Sequence, residues 1–160
     1  LSDLLLRTPD VVKHEVLLPT SESAPQRWKM TTERPADGWE SAGFDDSKWT
    51  EGSGGFGDGT VRGVKVGTEW KGSDIWIRKS FTCAAPKGNP VLRVFHDEDA
   101  EIYLNGEKIA SLQKFATRYI ELPVKDASLL KAGRNVIAIH CRQAEGGQFI
   151  DAGILEELPQ

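Results

Sequence analysis

Glu101-Ile102-Tyr103-Leu104-Asn105-Gly106-Glu107-Lys108-Ile109-Ala110 decides the fold class of this chain. Asn-Gly supplies the two positive-φ positions of a type I′ turn, and the flanking residues alternate apolar with polar, so the stretch predicts a β-hairpin. Ile102 and Leu104 then point toward a core, with Glu101 and Tyr103 on the opposite side. Upstream, Ile75-Trp76-Ile77-Arg78 alternates in the same way: Ile75 and Ile77 face inward, while Trp76 and Arg78 share the outer face. Val91 to His96 reads as a further strand. Downstream, Ala127 to Leu130 predicts one helical turn before a bend at Gly133-Arg134-Asn135. Val136-Ile137-Ala138-Ile139-His140-Cys141 is apolar on both faces, as a central strand would be, and Gln148 to Leu155 closes the domain.

Toward the N-terminus, Glu33 to Thr68 reads as a long glycine-rich loop held by its own anchors, Trp39, Phe44, Trp49 and Phe56, with one helical turn over Asp45 to Trp49. Trp28 to Thr32 and Val16-Leu17-Leu18 are short strand candidates. Pro9, Pro19 and Pro25 interrupt any helix in residues 1–27, which are expected to be an extended lead-in to a single domain over 28–160. Eight to ten short strands separated by turns, with sixteen glycines and eight prolines, predict an all-β, two-sheet sandwich.

Composition excludes several functions. With 160 residues, 39% of them hydrophobic, the chain can fill one core without metals or disulfides. The net charge of −4 and the absence of a cationic run argue against nucleic acid as a partner. No apolar stretch is long enough for a membrane-spanning helix. Leu1 at the start, and a Leu4-Leu5-Leu6 run too short for a signal sequence, suggest a piece of a longer chain. Cys83 and Cys141 lack the close spacing of zinc or redox motifs and read as two buried thiols in preference to a disulfide.

Five blocks in order carry a family resemblance: Phe44-Asp45-Asp46-Ser47-x-Trp49; Gly54-Gly55-Phe56-Gly57; Trp70 through Ser73-Asp74-Ile75-Trp76-Ile77-Arg78-Lys79-x-Phe81; His96 to Gly106; and Gly133-Arg134-Asn135-Val136-Ile137-Ala138. Over about residues 28 to 155 the chain resembles the jelly-roll sugar-binding domain of glycoside hydrolase family 2 and its relatives. The resemblance implies a galactose-binding-like β-sandwich, noncatalytic in itself. It also implies a carbohydrate partner and a separate catalytic domain in the same polypeptide, secreted or periplasmic. A (β/α)₈ catalytic barrel needs about 250 residues, more than this chain holds.

Sugar recognition needs an aromatic face for the pyranose C–H surface and charged or amide groups for its hydroxyls. Trp70, Asp74, Trp76 and Arg78 cluster around one strand, with Trp76 as a candidate platform and Asp74 or Arg78 as hydroxyl readers. Asp97 and Asp99, in the run His96-Asp97-Glu98-Asp99, are further candidates. Arg142 and Gln148 flank an end loop where ligands are often read. Asp97 and Asp99 stand about 7 Å apart along an extended strand, within the range of inverting glycosidases, but acids in a solvated turn lack the burial that raises a pKa for acid catalysis. No catalytic pair, metal set or cofactor motif is expected. His14, His96 and His140 are scattered, and His140 reads as a satisfied core or interface residue. Gly52 to Gly59 reads as a packed turn.

The alternative is a structural module that docks against a catalytic domain and has no sugar affinity of its own.

Overall fold

The structure, a computed structural model, describes residues 12–158. Leu4-Leu5-Leu6 and Pro9 lie outside the described residues. Twelve strands occur in chain order: β1 Lys13–Leu18, β2 Arg27–Thr31, β3 Thr50–Ser53, β4 Phe56–Gly57, β5 Thr68–Glu69, β6 Asp74–Cys83, β7 Asn89–Asp97, β8 Asp99–Leu104, β9 Glu107–Leu112, β10 Ile120–Pro123, β11 Gly133–Arg142 and β12 Phe149–Leu158. A 3-10 turn at Ala127–Leu129 is the helical turn expected there, capped by the Asp126 carboxylate on the Ser128 amide.

The strands form two sheets, β10-β7-β12-β4-β5 with β1 also paired to β12, and β3-β2-β6-β11-β8-β9. Alternation along each strand fills the space between them: Ile75 and Ile77, Ile102 and Leu104, Ile137 and Ile139, Leu92 and Val94, and Ile150, Ala152 and Ile154 form one core. The fold is thus the all-β sandwich that the sequence predicts. The hairpin turns at Asn105 and Gly106, with φ of 50° and 90°. Asn105 does more than turn the chain. Its amide donates to Leu129 O and Asn135 Oδ1, and its Oδ1 accepts from Val136 N, which ties the hairpin tip to β11.

The strand expected at Val16-Leu17-Leu18 lies within β1, which joins the first sheet by pairing with β12 from Lys13↔Leu158 to Leu18↔Ile154, and Leu18 is 1% exposed. Three expectations need correction. The loop from Glu33 to Thr68 contains strands β3 and β4 and the start of β5. Their brevity gives no readable periodicity, and tight glycine packing sets their path: a Cβ on Gly55, at φ +83°, would fall 2.3 Å from Lys65 O. Asp45 to Trp49 is a hydrogen-bonded turn and not a helix, with Ser47 N on Asp45 Oδ1 and Trp49 N on Asp46 O. Among the described residues, twelve strands replace the eight to ten expected.

Cys83 is opposite Gly133 and Cys141 opposite Ile75 in the β6–β11 pair, eight positions apart along the same ladder, or roughly 26 Å. Both thiols are free; Cys141 is buried and Cys83 partly exposed.

Candidate functional site on the outer face of the β6–β11–β8 sheet

Antiparallel register sets side chains from neighbouring strands in rows on one face. On the outer face of the second sheet, Arg142 of β11 lies between Asp74 of β6 and Asp99 of β8. In the next row His140 lies between Trp76 and Glu101, and Glu101 is in turn opposite Ser111 of β9. Ala138 lies between Arg78 and Tyr103 in the third row.

The lower end of this face is closed by the segment from Trp39 to Trp49. Arg78 is its anchor, 1% exposed, with Nε on Asp46 Oδ2 at 2.9 Å and its other nitrogens on the carbonyls of Trp39, Ser41 and Phe44. Its guanidinium lies over the Phe44 ring, 5.3 Å from the centroid. The other two rows stay open as a groove. One lobe, about 340 Å³, lies between Trp39 and Asp37 of the covering loop and Asp74, Glu101, Tyr103 and His140 of the sheet. A second, about 260 Å³, continues past His140 and Glu101 to Asp99, Ser111 and Arg142.

The imidazole of His140 stacks on Trp76 with 4.5 Å between centroids and 3° between planes, and its Nε2 is 2.7 Å from Asp74 Oδ1. Ser73 donates to the other oxygen of Asp74. Glu101 accepts from the Tyr103 hydroxyl at 3.0 Å and pairs with Lys108. Burial, with the Glu101 carboxylate beside it, pushes the Tyr103 phenol up to about 12, so it remains a donor at neutral pH. Asp99 accepts from Lys114 N and Arg142. Trp39 meets Tyr103 edge to face at 5.5 Å. The groove is therefore lined by carboxylates, an imidazole, a guanidinium and two half-buried aromatics, a set suited to a polyhydroxylated ligand.

Of the eight sequence candidates, the fold brings Asp74, Trp76, Asp99 and Arg142 together here. Trp76 serves as a wall and not as a platform, because His140 covers one face of its ring and only 7% of the residue is exposed. Arg78 has no donor facing the groove. Trp70, 2% exposed, belongs to the core, and Gln148, 4% exposed, donates to Gly72 O. Asp97 ends β7 in the other sheet, so it does not share a site with Asp99. It is also not the solvated acid expected: burial, helped by Glu98 and Asp58, raises its carboxyl to about 6. Asp151, on β12, is likewise pushed up to about 6 by burial. His140, Glu101, Tyr103 and Trp39 were not among the candidates. A histidine in an otherwise apolar strand is the signal in the sequence for His140, and only register shows what it faces.

Solved structures share this fold. A glycosyl hydrolase family 2 member from Bacteroides cellulosilyticus superposes with a TM-score of 0.65 at 20% identity, over 90% of this chain and 21% of that one. A β-glucuronidase from Bacteroides uniformis gives 0.62 at 17% identity, over 92% and 18%. A β-glycosidase from Bacteroides vulgatus gives 0.58 at 21%, over 85% and 20%. No protein-family model matches the chain, and no curated protein matches it by sequence. Fold and comparison together define the class: a galactose-binding-like β-sandwich, the architecture of one domain in family 2 glycoside hydrolases. The chain spans about a fifth of the length of the solved structures it matches.

Proposed function

We propose that this chain is a noncatalytic carbohydrate-binding domain of a larger, secreted or periplasmic glycoside hydrolase, which holds glycan weakly near a separate catalytic domain. The observation that carries the reading is the groove, where Trp39 and Tyr103 offer aromatic surface beside Asp74, Glu101, His140 and Arg142. Asp74, Glu101 and Asp99 each already engage a protein partner, which fixes the direction of the carboxylate and leaves lone pairs for sugar hydroxyls. Weak capture suffices for such a module, since tethering raises the local glycan concentration at a linked active site. Fold likeness to glycoside hydrolases many times longer than this chain supports the larger polypeptide.

Titration calorimetry of the chain with oligosaccharides tests the proposal; millimolar, saturable binding supports it. The alternative, a docking module, draws on Val16, 59% exposed on β1. It predicts no glycan binding, and loss of catalytic-domain stability when this domain is deleted from the full polypeptide.

A further inference from the structure

Asp97 is the middle of a row. It is opposite Phe149 of β12 on one side, and an isolated antiparallel bridge sets it opposite Phe115 on the other. Residues paired in this way project to the same face with Cβ atoms about 4.5–5.5 Å apart, and the bond from Ala116 N to His96 O, at 2.8 Å, holds the bridge in place. Phe149 is fully buried against Phe95. Phe115 is 61% exposed, the most exposed large apolar side chain among the described residues. Asp97 and Phe115 lie at the rim of a cavity of about 390 Å³, which Thr60, Arg62, Phe95 and Thr117 also line, while Phe149 packs behind it. Gly147 closes one wall so tightly that a Cβ there would fall 2.7 Å from Thr60 Oγ1.

We propose that this cavity is a second ligand site, separate from the sheet-face groove, and that it takes a single neutral pyranose ring. Phe115 supplies the stacking surface. Asp97 accepts from ring hydroxyls and Arg62 donates to them; among the described residues neither side chain has a hydrogen bond or ion pair to the protein, so both are available to a ligand. The charges of Asp58 and Glu98 act on the Asp97 carboxylate and favour a neutral ligand over a phosphate or sulfate ester beside it. The proposal extends the carbohydrate reading to a place that the groove does not reach, and each site can fail without the other.

Amide chemical-shift titration of the 160-residue chain with methyl β-glucopyranoside and methyl β-galactopyranoside tests it. The expected result is saturable shifts at Thr60 to Arg62, Phe115 to Thr117 and Gly147. Phe115→Ala, at an exposed position, weakens that response about tenfold, and Asp97→Asn several-fold, with the rest of the spectrum unchanged. Absence of shifts at these amides at tens of millimolar glycoside, an unchanged response in Phe115→Ala, or a response to glucosamine hydrochloride alone overturns it. Shifts confined to Glu101, Ser111 and His140 would uphold the groove and reject this second site.

Discussion

The Trp76 indole and the His140 imidazole lie face to face, 4.5 Å apart and 3° from parallel, and the free edge of the imidazole reaches Asp74 at 2.7 Å. The stack and the contact with Asp74 together orient the imidazole in the groove. The imidazole also covers one face of the Trp76 indole on β6, which leaves that ring as a wall of the groove and not a platform.

Replacing His140 with Ala removes both the stack and the bond to Asp74. Each is worth about 1 kcal/mol at a half-buried site, so the loss is roughly 2 kcal/mol in urea denaturation. His140→Phe is expected to keep the stacking share and recover about half of that loss. An equal loss in both variants would show that the stack contributes nothing.

Arg78 holds the Trp39 to Trp49 segment against the sheet through Asp46 and three carbonyls. Arg78→Met leaves Asp46 and the Trp39 and Phe44 carbonyls without this donor, Ser41 O keeping its bond from Phe44 N, and is expected to cost roughly 3–5 kcal/mol. Arg78→Lys does not rescue it, because one ammonium cannot reach acceptors spread around a planar fork. Limited proteolysis of both variants should cut first within residues 39–49.

The Asp151 carboxyl, 1% exposed, accepts from Ser21 N at 2.8 Å and the Tyr119 hydroxyl at 2.7 Å, and burial still raises it to about 6. The unfolded chain releases this proton near 3.8, so the folded state binds more protons between the two values. Its contribution is full below the unfolded value and is lost as pH rises through about 6. Thermal melts should therefore show the Tm advantage of the parent chain over Asp151→Asn shrinking from about pH 4 to about pH 6, with Asp97 contributing in the same direction to both proteins. Asp151→Asn is expected to remove this contribution and leave that of Asp97. A dependence of Tm on pH unchanged in Asp151→Asn contradicts the assignment.

Asn135 is fully buried, and its Oδ1 accepts from Asn105 and Lys131 while its Nδ2 donates to the carbonyls of Lys131 and Gly133. Asn135→Ala strands these partners and is expected to cost about 2–3 kcal/mol, visible as faster hydrogen exchange at Asn105 and Val136.

The hairpin, the central strand and the inward faces of β6 and β8 were legible because alternation and Asn-Gly are local signals. Strands β4 and β5 were not: two residues each show no period, and their pairing depends on glycines whose contacts are distant in sequence. The groove was half legible. Asp74, Trp76, Asp99 and Arg142 have the right chemistry in the sequence, but which residues meet depends on the register of β6, β11 and β8, which no single strand encodes. Arg78 misled for a related reason. Its outward direction is correct, yet a loop more than thirty positions upstream covers it. Asp97 and Asp99, two residues apart, go to different sheets because the chain crosses between layers there.

The measurement that bears most directly on the central claim is titration of a panel of oligosaccharides, at millimolar concentration in solution, into the 160-residue chain and into a Trp39→Ala/Glu101→Gln double variant, which removes one aromatic wall and the charge shared by both lobes of the groove. Saturable binding of at least one oligosaccharide class by the parent chain, weakened about tenfold or more in the double variant, is the predicted result. Binding of no oligosaccharide at tens of millimolar, or equal affinity in both proteins, would contradict it.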